Sequence, residues 1–201
     1  MSILTDRDIQ ELCHEPKPMI KPFEAAQIRQ FAGQKIISFG LSSMGYDLRL
    51  AGDEFRVFSP VQSQQIDPKQ FDQKSLITAP SHQNFNFEQE LNSWFLIPPH
   101  SYALGLTLEE FSIPEDVLGI CVGKSTYARC GLVVNTTPLE PGWKGRLVLE
   151  LANTASLPVR VYIGEGIAQC LFWRADERPM VTYRDRSGKY QGQAGLVTAR
   201  V

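Results

Sequence analysis

A mainly β architecture, a sandwich, jelly roll or barrel with short N-terminal helices, follows from three features of the sequence. Helical periodicity stops after Phe31. Short runs rich in Val, Ile, Leu, Phe and Tyr then recur at near-even spacing, divided by Gly, Pro and polar turns. The 201 residues are 43% hydrophobic, enough to fill one core, so a single domain over 1–201 is expected.

Taken in order, Thr5 reads as a helix N-cap with Asp8 three residues on. Ile9, Leu12 and Cys13 follow at helical spacing, and Pro16 and Pro18 end the pattern. A second short helix is predicted from Phe23 to Phe31, closed by Gly33. Gly45-Tyr46-Asp47-Leu48-Arg49 reads as a turn leading into a strand, with Asp47 bonded to its own backbone. Strands are predicted at 55–58, 94–98, 102–108, 117–122, 132–136, 147–153, 159–163, 167–173, 180–183 and 196–201. The Gln- and Asn-rich stretch from Ser59 to Glu90 is expected to be a surface excursion with a little strand. Arg184 to Gln193 is polar and glycine-punctuated, either a solvated connection or a lid over a ligand.

Composition narrows the function. A formal charge of −2 makes no electrostatic case for nucleic acid. No apolar run is long enough to span a bilayer, and the N-terminus, with early acids and no apolar h-region, does not read as a signal peptide. The cysteines at 13, 121, 130 and 170 form no C-x-x-C pair, which points to a reduced, cytoplasmic setting. The H-x-E and P-C-x-x-C signature of zinc deaminases is absent, and no protein-bound zinc is expected.

Chemistry concentrates between Gly123 and Glu150. Gly123-Lys124-Ser125-Thr126-Tyr127-Ala128-Arg129 joins a glycine turn, two hydroxyls and two cations, a set suited to an anion. It reads equally as a β-turn whose hydroxyls bond locally. It has no P-loop spacing, and no G-x-S-x-G elbow surrounds Ser125. Strand alternation puts Glu150 on the face of Val148 and Ala152, opposite Leu147, Leu149 and Leu151. Glu150 is then either a solvated acid or a half-buried acid/base whose pKa is raised by desolvation. Glu140-Pro141-Gly142-Trp143 fits a β-turn with Pro at i+1 and Gly at i+2, which makes Trp143 a packing residue.

Together, Ser43–Arg49, Gly123–Leu132, Thr137–Gly145, Leu149-Glu150 and Gly188–Gln193 resemble the dCTP deaminases of the dUTPase-like superfamily. The motifs come in that family's order and cover most of the chain. The resemblance implies a distorted β jelly roll, a dUTPase-like β-barrel, assembled as a homotrimer with active sites between subunits. It implies hydrolytic deamination of dCTP to dUTP and ammonia, supplying thymidylate synthesis. Magnesium would ride on the triphosphate, and dTTP is a possible feedback inhibitor. Glu150 matches the family's catalytic glutamate, and Ser125 and Arg129 match residues that hold the water and shape the site. Lys124, Thr126, Tyr127, Ala128, Val148, Leu149, Gln169, Tyr183, Lys189 and Gln193 match positions around the nucleotide. Tyr46 and Asp47 look structural. Some members carry a His, an Arg and an Asp before Pro-Gly-Trp, where this chain has the shorter Thr137-Pro138-Leu139-Glu140. The rivals are a bifunctional deaminase–diphosphatase releasing dUMP and pyrophosphate, and a non-catalytic trimeric nucleotide-binding module.

Overall fold

One long strand, β5 (Gly45–Phe58), belongs to both layers of the molecule. Its first half pairs with β4 (Gln34–Ser42) and β13 (Gly166–Arg174). Its second half pairs with β6 (Leu76–Thr78) and β8 (Tyr102–Ser112). A register shift between Leu50 and Phe55 bends it from one layer to the other, the usual work of a bulge. The computed structural model describes residues 1–59, 65–81 and 93–200.

The remaining strands fall on these two layers. β1 (Ser2–Ile3) and β9 (Val117–Gly123) flank β13, and β3 (Gln27–Phe31) extends β4. On the other layer β11 (Lys144–Asn153) joins β8 to β10 (Leu132–Asn135), and β2 (Ile20–Lys21) pairs with the far end of β8. A separate pair, β7 (Trp94–Ile97) with β12 (Val159–Tyr162), closes one end. Apolar side chains from both layers, among them Tyr46, Leu48, Phe55, Leu149, Leu151 and Phe172, form one buried cluster. This is the mainly β, curled fold that the strand spacing predicts.

The capping box at Thr5 is present: Asp8 N–H donates to Thr5 and the Thr5 N–H donates to Asp8 Oδ2, starting α1 (Asp6–His14). The second predicted helix is not. Gln27–Phe31 is strand β3, paired in a hairpin whose two-residue turn is Ala32 (φ 46°) and Gly33 (φ 78°). Two successive positive φ values are what a tight hairpin requires, and they leave no helical continuation. The strands predicted at 180–183 and 196–200 are also absent, while Val201 lies outside the described residues. At the first, Asp185 Oδ2 accepts from both the Thr182 N–H and hydroxyl and curls the chain. At the second, contacts to side chains replace a ladder, as Leu196 N–H donates to Glu54 and Gln73 donates to Thr198. Of the 59–90 excursion, residues 60–64 and 82–90 lie outside the described residues; the remainder holds a short 3-10 turn, Gln73–Ser75, and β6.

Candidate active site

β11 alternates as its sequence indicates. Leu147, Leu149 and Leu151 are buried in the core, and Val148, Glu150 and Ala152 are half-buried on the opposite face. That face floors a cavity of about 380 Å³. Glu150 and Val148 from β11, Tyr102 and Leu104 from β8, and Thr137 to Glu140 from the connection between β10 and β11 line it. The C-terminal segment closes it with Tyr183, Tyr190, Gln193 and residues 197–199.

Desolvation in this setting pushes the Glu150 carboxyl above its usual range, and a hydrogen bond from Asn135 Nδ2 to Oε2 at 3.0 Å pulls the other way. Burial, and after it the negative charge of Glu150, lifts the Tyr102 phenol to about 12, so it stays protonated at neutral pH. The predicted turn below the cavity is present. Trp143 N–H donates to Glu140 O at 3.0 Å with Gly142 at φ 79°, the type II signature of Pro at i+1 and Gly at i+2. Trp143 is buried, as a packing residue should be, and its indole N–H donates to Tyr190 O at 3.0 Å.

That indole is one of several ties that fasten the 184–193 segment over the cavity. Arg146 N–H donates to Gln193 O at 2.8 Å and Gln193 Nε2 donates to Arg146 O at 2.6 Å, so this residue extends β11 by one parallel bridge. Gln191 Nε2 donates to Gly142 O at 3.1 Å, and Tyr190 N–H donates to the Tyr183 hydroxyl at 3.1 Å. Lys189 is not among the cavity residues; its ammonium donates to Arg200 O at 2.7 Å.

The other predicted residues lie elsewhere. Ser125–Ala128 is a single helical turn, α2, rather than the expected β-turn. Lys124 occupies its N-cap position and gives it no side-chain cap. Ser125, Thr126, Ala128 and Arg129 are exposed and do not line the cavity. Arg129 donates back to Ser125 O at 3.2 Å. Tyr127 points the other way: it is buried and its hydroxyl accepts from Tyr162 N–H at 2.9 Å, so it anchors the turn to the core. Leu149 likewise faces the core, leaving only its backbone for a ligand. The structure therefore separates the predicted residues into two groups.

Asp47 belongs with the α2 group. Its carboxylate is buried and, against the sequence reading, bonds to two side chains rather than to its own backbone. Lys124 Nζ donates to it at 2.5 Å and Gln27 Nε2 at 3.1 Å. Gln169 sits directly opposite Asp47 in the β5–β13 register and donates to the Ser42 hydroxyl at 3.1 Å. The sequence reading places Asn135 and Tyr102 in strands but does not mark either as a site residue. Only the strand register, which places Asn135 opposite Glu150, marks the first of them.

Residues 3–175 match the family model described as dCTP deaminase-like. The chain is 52% identical to a dCTP deaminase of Acidovorax sp. (strain JS42) over 98% of its own length and 97% of the relative's. It is 50% identical to the dCTP deaminase of Bordetella petrii over the full length of both. Among solved structures, the 2'-deoxycytidine 5'-triphosphate deaminase from Agrobacterium tumefaciens aligns with a TM-score of 0.51 at 16% identity, covering 85% of this chain and 47% of that one. At that identity the likeness concerns the fold alone.

Proposed function

The chain belongs to the dCTP deaminase family, and we propose that it hydrolyses dCTP to dUTP and ammonia with Glu150 as the proton-transfer group. The observation that carries this reading is the Glu150 carboxylate itself, half-buried on a cavity wall, with its pKa raised by desolvation. A base poised nearer neutrality transfers protons most efficiently in both directions.

The chemistry needs such a two-way group. Water attacks C4 of the cytosine ring while Glu150 takes one of its protons and delivers it to N3. The tetrahedral intermediate then passes its hydroxyl proton, through Glu150, to the amino group. The C4–N bond breaks, ammonia leaves and the C4 carbonyl forms. The atoms balance as dCTP plus water giving dUTP plus ammonia. Ser125 holds the water and Arg129 favours the developing charge, donors of a kind that gain strength when water is excluded.

Those two residues, on α2 and at its C-cap, are exposed and lie outside the Glu150 cavity of the same chain. A complete site therefore draws α2 from a neighbouring copy, which supports a homotrimer with sites at its subunit boundaries. The apolar side chains that β9 and β10 leave exposed, Ile120, Val122 and Val133, give such a neighbour a surface to cover. Arg129 and Lys189 supply positive charge for the triphosphate, which brings its magnesium as part of the substrate, while the charge of Lys124 is already met by Asp47. The 184–193 segment acts as the lid, and dTTP, differing from the substrate only in its base, competes for the same pocket.

Glu140 also lines the cavity, where a diphosphatase would need a base. It is ion-paired with Arg186, an arrangement that favours a tether for the lid over a free base. The deciding experiment is an incubation of dCTP and magnesium with the wild type and with Glu150→Gln, following ammonia and separating the nucleotides. Ammonia with dUTP from the wild type, and a loss of about 10²–10⁴-fold in the variant, is the expected result. Turnover retained by the variant removes Glu150 from its role; dUMP with pyrophosphate moves the answer to the bifunctional enzyme.

A further inference from the structure

Glu150 occupies the middle of a three-strand run, with β10 on one side and β8 on the other. Directly opposed residues of an antiparallel pair have Cβ atoms about 5 Å apart, within reach of a short polar side chain. Asn135 is the residue directly opposed to Glu150, and its amide donates to Oε2 at 3.0 Å. Among the described residues this is the hydrogen bond that the Glu150 side chain receives, and Oε1 receives none.

We propose that Asn135 is a positioning residue for deamination: its amide pins one oxygen of the Glu150 carboxylate across the strand pair and leaves the other to exchange protons with water and base. The proposal rests on Glu150 being the proton-transfer group. Packing gives no competing reason for an amide here. Asn135 is exposed, at the end of the last strand of its layer, where a side chain of almost any polarity is tolerated.

The chemistry of the amide fits the task. A carboxylate only accepts hydrogen bonds, and Asn offers it an N–H donor. Once Glu150 has taken a proton on Oε1, Oε2 becomes the carbonyl oxygen of the neutral acid and still accepts from the same N–H. One residue thus serves both states through which Glu150 passes. The bond also opposes the effect of burial on the Glu150 pKa and keeps the base ionised at the start of each turnover.

The other groups around Glu150 leave this task to Asn135. Tyr102 faces it from β8 as a neutral phenol. Glu140, from the connection after β10, is paired with Arg186. Tyr183 and Tyr190 approach from the C-terminal segment and are joined to each other. Arg146, on the same face of β11, is engaged by Asp53.

The test compares wild type, Asn135→Ala, Asn135→Asp and Glu150→Gln. The kcat/KM for dCTP is followed across the acidic and neutral range, each variant as a ratio to wild type so that ionisation of the substrate cancels. Loss of the donor raises the pKa of Glu150, so the acid limb moves to higher pH: by about half a unit in Asn135→Ala and by about a unit or more in Asn135→Asp, which adds a like charge. The kcat at neutral pH falls by about tenfold while KM changes little, because the amide acts on the base and not on the nucleotide. Thermal melting reports folding, and if Asn135→Ala does not fold, the isosteric Asn135→Asp carries the test. Folded Asn135 variants with unmoved acid limbs, beside an inactive Glu150→Gln, overturn the inference alone. An active Glu150→Gln overturns the role of Glu150 on which it rests.

Discussion

The two groups of site residues are built in opposite ways. Around Glu150 the chain finishes the job itself: β11 supplies the carboxylate, β8 and β10 flank it, and residues 183–199 fold over it. Around α2 the chain provides hydroxyls and an arginine on an exposed helical turn, with the adjacent Lys124 already engaged by a buried aspartate. The first group has the desolvation that tunes a pKa. The second lacks it, and exposed donors are weak until something excludes water from them. Under the proposed shared site, the contrast teaches that a half-site can be completely folded and still require a second copy to become chemical.

The largest effect expected breaks that contrast directly. Ser125→Ala and Glu150→Gln should each lower kcat by at least about 10²-fold. Co-refolded in equal amounts, they should regain activity, because a boundary that takes α2 from the Glu150→Gln copy and the cavity from the Ser125→Ala copy is intact. Random assortment makes about a quarter of boundaries of that kind. A mixture no more active than its parts places both residues in one chain's own site.

Next in size is the ion pair beneath α2. Asp47 and Lys124 have side chains 3% and 11% exposed. Removing one partner of such a pair strands the other charge, at a cost of about 3 kcal/mol, or a fall of about 6–12 °C in melting temperature for a domain of this size. Asp47→Ala should show that loss, and Asp47→Ala with Lys124→Met should recover most of it. The recovered protein then sharpens the comparison. A KM for dCTP raised about tenfold assigns Lys124 to the triphosphate as well; an unchanged KM confines it to holding the turn.

A smaller effect concerns the cover over the finished half. Ending the chain after Gly188 removes Tyr190, Gln193 and residues 197–199 from the cavity and frees the Trp143 indole. KM should rise about tenfold, with a lesser change in kcat, if the segment serves binding as a lid. Unchanged kinetics would make it a plain connection.

The two halves also differed in how far the sequence revealed them. The face of Glu150 could be read from the alternation of Leu147, Leu149 and Leu151, because a strand with one buried side has period two and nothing else fits. The Pro141-Gly142 turn and the Thr5 cap were equally legible, each being decided by residues within four positions of one another. The 27–31 strand was not, because its pairing with β4 outweighs a weak local preference for helix. The bond from Lys124 to Asp47 spans 77 positions and the cover of the cavity by Gln193 spans 47, so no local pattern encodes either. Asn135 lies only 15 positions from Glu150, yet its role depends on strand register, which sequence spacing alone does not fix.

The smallest effect expected lies where the cover meets the rest of the fold. Arg146 spans Asp53, at the bend of β5, and the Thr107 carbonyl, and its own backbone carries the bridge to Gln193. The hydrogen bond from Arg146 holds the Asp53 carboxyl below its usual range. A carboxyl depressed on folding adds stability above its unfolded pKa and loses it as the pH falls through the folded value, so this contribution is full at neutrality and disappears in the acid range. Asp53 is 55% exposed, and solvent and salt screen most of the pair. Asp53→Asn should therefore lower the melting temperature by only about 1–3 °C at neutral pH and low salt, less at high salt, and by nothing once acid has discharged the wild-type carboxyl. A larger fall, accompanied by a raised KM for dCTP, would show that the bend of β5 helps hold the C-terminal cover in place, and would join the finished half of the site to the strand that both layers share.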